Sequence, residues 1–114
     1  MAPTMESQQS LADALQDLYE TLDKAFWVAS TIEAKDMIRG LSEAVFDALT
    51  DLNRLDISSR TTDYQPIKTS ITRINAKLDT LKSQIDQLVH EMQIAAQVAA
   101  AIDTAVSAAA KFFV

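Results

Sequence analysis

The chain has 114 residues and a net charge of −6, with one glycine, two prolines and no cysteine. So few glycines and prolines leave little material for repeated tight turns, which weighs against an all-β or many-turn α/β fold. The missing cysteines exclude a disulfide framework, a thiol nucleophile and a thiolate metal site. The 16 acids against 10 bases weigh against nucleic acid as a partner.

Met1 to Ser10 contain neither a basic n-region nor an apolar h-region. The expected location is therefore cytoplasmic, with leaderless export left open. The first arm, about 7–56, carries two heptad runs. Leu11, Leu15, Leu18 and Leu22 form the earlier one; Trp27, Thr31, Ala34, Ile38, Leu41, Val45, Ala48, Leu52 and Leu55 form the later one. The two differ in phase by about one position. With no glycine or proline between Leu22 and Ser30, the preferred expectation is a continuous or gently bent helix. The alternative is a break, because Ser30-Thr31-Ile32-Glu33 fits a capping box and would give a three-helix bundle.

The polar cluster Ile57 to Asp63 is the expected connection, a loop of about 57–65 capped by Thr62 or Asp63. The second arm, about 66–112, opens with Pro66 in its first turn. Its stripe runs Ile67, Ile71, Ile74, Leu78, Leu81, Ile85, Leu88, Met92, Ala95, Ala99, Ile102, Val106, Ala109, Phe113 without a polar exception. A 3.5-residue period sustained this long is a coiled-coil signature. As one helix the arm would be roughly 70 Å long.

Folding the arms back about the polar cluster aligns their stripes. The facing positions keep one constant register: 55 with 67, 48 with 74, 41 with 81, 34 with 88 and 27 with 95 on one set, and 52 with 71, 45 with 78, 38 with 85 and 31 with 92 on the other. Trp27 then falls opposite Ala95, large against small. The expected fold is all-α, a single helical domain over 1–114: a long antiparallel hairpin, dimerising into a four-helix bundle. Charge agrees, since the first arm is acidic and the second nearly balanced.

The distal end has apolar residues to spare. A second stripe runs Ile94, Val98, Ala101, Ala105, Ala108, Phe112, and the facing arm adds Tyr19, Phe26, Val28, Ile32 and Met37. A helix apolar on two stripes is buried against two neighbours. The expected partner-binding residues are therefore Phe26, Ile32, Met37, Ile94, Val98, Ala101, Ala105 and Phe112. A second copy of the chain or another protein would cover them. The competing reading is an exported or membrane-active protein using 94–114, against which Asp103, Gln97 and the alanine-rich bulk argue.

Little chemistry is legible. Gly40 stands alone, so no phosphate-cradling loop or nucleophile elbow is present. His90 is the only histidine, and Ile94 occupies the place of the second histidine in a zinc-protease helix. Asp86 and Glu91 beside it read as surface residues, with Asp86 and His90 an exposed pair rather than metal ligands. The acids Asp13, Asp17, Glu20, Asp23, Glu33, Asp36, Glu43, Asp47 and Asp51 avoid the stripes and lack the Glu-x-x-His spacing of di-iron bundles. Lys68, Arg73, Lys77 and Lys82 form a basic strip without interleaved aromatics, expected to face those acids rather than nucleic acid. Trp27 is followed by Val28 and Ala29, so the Trp-x-Gly turn of small secreted helical hairpins is missing. The residues predict a non-enzymatic helical interaction module (assembly, adaptor, chaperone or immunity-type partner) with no metal, no cofactor and no catalytic residues.

Overall fold

The computed structural model describes residues 5–54 and 64–113. The connection expected at 57–63, its cap at Thr62 or Asp63, and Leu55 lie outside the described residues. The fold is all-α: α1 (Met5–Val28), α2 (Ile32–Arg54), α3 (Tyr64–Leu88) and α4 (Met92–Phe112). Helix α1 packs on α2 and α4, and α3 packs on α2 and α4, with no close backbone approach across either diagonal. The four helices thus stand at the corners of a square, each antiparallel to its two neighbours. The molecule measures 46 × 20 × 19 Å, far shorter than a two-helix rod of about 70 Å.

The continuous arms expected from the sequence are therefore each divided, and the bundle that two copies were expected to build is completed inside one chain. The first arm breaks at 29–31, the position of the alternative reading. The second breaks at 89–91, which the unbroken heptad stripe gave no cause to expect. The two breaks lie at the same end of the bundle, where Ala29 and Val89 form an isolated antiparallel bridge.

The apolar stripes expected for α2 and α3 both face inward. Leu52 and Ile71, Ala48 and Ile74, Val45 and Leu78, Leu41 and Leu81, and Ile38 and Ile85 are all buried in one core cluster. In α1 the core stripe is Leu11, Leu15, Leu18, Leu22 and Ala25. That stripe is one position out of phase with the stripe of α2. Extended backward, the α2 stripe reaches Trp27, but Trp27 belongs to α1 and projects away from the α1 stripe. It is 70% exposed, so the expected core packing against Ala95 does not occur. Helix α4 buries Ala95, Val98, Ala101, Ile102, Ala105, Ala109 and Phe112. These come from both of its apolar stripes, because α4 meets α1 on one side and α3 on the other.

Caps explain how the chain stops without glycine or proline. Thr31 Oγ1 accepts from the Ala34 amide at 3.0 Å, so Thr31 caps α2. This shifts the cap one residue from the expected Ser30–Glu33 box. Ser30 instead serves the other turn: its backbone N–H donates to the Leu88 carbonyl at 2.9 Å, and its hydroxyl reaches the Leu88 and Gln87 carbonyls at 3.1 and 3.2 Å. Those carbonyls would accept from the next turn of α3 if the helix continued. Glu91 caps α4, its carboxylate accepting from the Gln93 and Ile94 amides at 3.1 and 2.8 Å. Lys35 Nζ closes the set, donating to the Phe26 carbonyl at the end of α1 at 2.9 Å.

Candidate interaction surface at the double-turn end

The eight residues singled out as partner-binding divide into two groups. Val98, Ala101, Ala105 and Phe112 are fully buried within the chain's own core. Their stripe was surplus only for a two-helix hairpin; α1 covers it in the bundle. Ile94 and Met37 are half-buried against the same core. Ile32 and Phe26 remain at the surface edge. Ile32, the first residue of α2, is 74% exposed. Phe26 is partly buried beneath two cations, with Arg39 Cζ 4.1 Å and Lys35 Nζ 5.0 Å from the ring centroid.

Around these two the structure gathers residues that the sequence pattern placed elsewhere. Trp27 meets Phe26 edge to face at a centroid distance of 5.3 Å, leaving most of the indole in solvent. Val28 is exposed beside it, and Met92, the first residue of α4, is 83% exposed. Trp27, Val28, Ile32 and Met92 all flank the paired turns. Among the described residues the one other large exposed apolar side chain is Phe46 on α2, which packs one side against Tyr19 of α1 at 5.4 Å. Among the described residues, the large exposed apolar groups other than Phe46 thus lie at one end of the bundle.

The signal that could have found this patch was in the sequence. Two stripes out of phase cannot both face inward on one straight helix, so a residue assigned to one stripe but carried by the other helix must point outward. Trp27 is that residue. The Phe26, Lys35 and Arg39 cluster was not findable, since it forms across the turn at 29–31 and depends on the angle at which α1 and α2 meet, which the hydrophobic pattern does not record.

The remaining described surfaces are mostly polar. An open groove of about 670 Å³ between α1 and α4 is lined by Glu6, Ser10, Asp103, Thr104, Ser107 and Lys111 among others. Asp86 and His90 are both exposed, but α3 ends at Leu88, so they do not share a helical face. Among the described residues no group of three or more His, Asp or Glu side chains could hold a metal ion. Of the basic strip, Lys82 pairs with Asp103 of α4 at 2.6 Å rather than with the first arm. Arg73 and Lys77 line a groove with Asp47 and Ala44 of α2. No protein-family model, no curated protein and no solved structure matches the chain.

Proposed function

We propose that the protein is a non-enzymatic helical interaction module that engages a protein partner through the double-turn end. One observation carries this reading. Among the described residues, the large exposed apolar side chains, apart from Phe46, flank the two turns at one end of the bundle. Burying a Trp and its apolar neighbours in a partner's pocket is how small interfaces gain most of their affinity. The mechanism is apolar burial on a rigid scaffold whose turns are held by caps. The acidic surface of α1 and α2 would set association rate and partner choice.

The membrane-active alternative rests on α4. Met92–Phe112 is long and apolar enough to cross a bilayer by length and composition. Against it, Val98, Ile102, Ala105 and Phe112 are committed to the bundle core, so insertion would require the bundle to unfold. The test is a paired capture from the native lysate with the wild-type chain and a Trp27→Ser/Ile32→Ser variant of unchanged helicity. Partners held by the wild type and lost by the variant support the interaction reading. Identical capture by both removes it, and retention on liposomes at physiological salt transfers the case to α4.

A further inference from the structure

We propose that the occupant of the double-turn end is a second copy of this chain, and that the two copies exchange α4. In the exchanged dimer α3 and α4 join through 89–91 into one helix roughly 70 Å long. Each α4 then fills, in the partner, the place it leaves in its own bundle. The inference rests on the reading of this end as an interaction surface and names what binds there.

Three observations point to it. The heptad stripe runs through the break without a missing position: Ile85, Leu88, Met92, Ala95. The closed molecule interrupts a helix whose own side-chain pattern is continuous. Second, the turn contains neither glycine nor proline, and no described residue has a positive φ. Val89, His90 and Glu91 can all enter a helix without strain, and Glu91 needs to move only from its extended ψ of 109°. Third, the exposed apolar residues lie where exchange would bury them. Met92 is a stripe residue of the continuous helix and is 83% exposed in the closed bundle.

Geometry is consistent with closure. In the closed bundle α4 runs from the double-turn end toward the opposite end. Joined to α3, it runs outward from that same end. A two-fold axis at the hinge therefore sets the two double-turn ends face to face and presents each α4 to the partner's vacant position in the native direction. The interactions of α4 with α1 and α3 re-form unchanged, which is what makes such exchange low in cost. New burial comes at the hinge, where Met92 and the exposed residues of the two turns meet their symmetry mates. The caps oppose the exchange: Glu91 on the Gln93 and Ile94 amides, and Ser30 on the Leu88 carbonyl. Alanine at residue 91 removes the first of these and favours a continuous helix. Proline at residue 92 does the reverse. Met92 is the first residue of α4, where proline is tolerated, and Glu91 already has the extended conformation that precedes proline.

The experiment compares the wild type, Glu91→Ala and Met92→Pro after refolding over a range of protein concentrations, with mass read by light scattering and helicity by circular dichroism. Exchange predicts a dimer fraction rising with concentration, increased several-fold by Glu91→Ala and abolished by Met92→Pro with helicity retained. A Lys82→Cys/Asp103→Cys pair, free of background because the chain has no cysteine, gives the connectivity. These side chains meet at 2.6 Å in the closed bundle but lie roughly 30 Å apart along a continuous helix. A short bis-maleimide should link the isolated dimer between chains and the monomer within one. A dimer linked only within each chain, a dimer undiminished by Met92→Pro, or Glu91→Ala remaining monomeric at every concentration overturns the exchange. Loss of the exchange with patch-dependent capture of another protein intact leaves the interaction reading standing. Exchange without patch-dependent capture removes only the role for another protein.

Discussion

The two turns at the end of the bundle reach the same outcome from different sequences. At 29–31 the stripes on either side are out of phase, Leu22 and Ala25 belonging to one and Ala34 and Ile38 to the other. A straight helix through that point would turn one stripe toward solvent, so the break is written into the hydrophobic pattern. At 89–91 the stripe is in phase throughout, and the helix stops all the same. Its ends are covered from two places: Ser30 of the other turn covers the carbonyls of Gln87 and Leu88, while Glu91 of the same turn covers the freed amides of α4. The first turn is marked in the hydrophobic pattern, whereas the second joins a local cap, Glu91, to a tertiary one, Ser30. Helix length is thus set by which partners a helix finds as much as by its own periodicity.

The sharpest way to break this comparison is to exchange the expected core residue for the observed one. Leu22→Ala removes a fully buried side chain of the α1 stripe and should cost about 2–5 kcal/mol in urea unfolding. Trp27→Ala, on the other stripe and mostly in solvent, should cost less than about 1 kcal/mol. Equal costs would mean that the α2 stripe continues inward through α1, and that the phase account of the first turn is wrong. Next in size are the caps. Thr31→Ala and Glu91→Ala should each destabilise by about 0.5–2 kcal/mol. Ser30→Ala, though in the first turn, should raise hydrogen exchange at the last turn of α3, a readout that places its effect across the bundle.

Smaller effects sharpen the same picture away from the turns. Gly40 lies inside α2, and a β-carbon there meets nothing within 4 Å. Gly40→Ala should therefore stabilise the protein by about 0.5–1 kcal/mol, raising the urea midpoint without altering the turn end. The Lys82–Asp103 pair bridges α3 and α4 on the surface. A double-mutant cycle on it should yield under about 1 kcal/mol, fading as salt is raised. A larger coupling would mean that side-chain charge, rather than caps and core, holds the second turn closed.

Several features were legible beforehand for definite reasons. The all-α class follows from the scarcity of glycine and proline and from a period near 3.5 sustained over most of the chain. The buried stripes of α2 and α3 follow from side-chain spacing, because residues three and four apart share one helical face. The two stripes of α4 rightly implied two neighbours. Which neighbours was not legible, since a second copy and the chain's own α1 present the same kind of apolar stripe. That ambiguity is why Val98, Ala101, Ala105 and Phe112 read as a partner surface and are instead core.

The sequence by itself determined two amphipathic helical arms and most of the stripes they bury, because burial pattern is a property of residue order and helical pitch. Only the tertiary structure decided where the second arm ends one helix and begins another, and hence that the bundle closes within one chain. It also decided that Trp27, Ile32 and Met92 face solvent. The physical reason is that the end of α3 has its carbonyls covered by Ser30, a residue nearly sixty positions distant, and no local period records that partner.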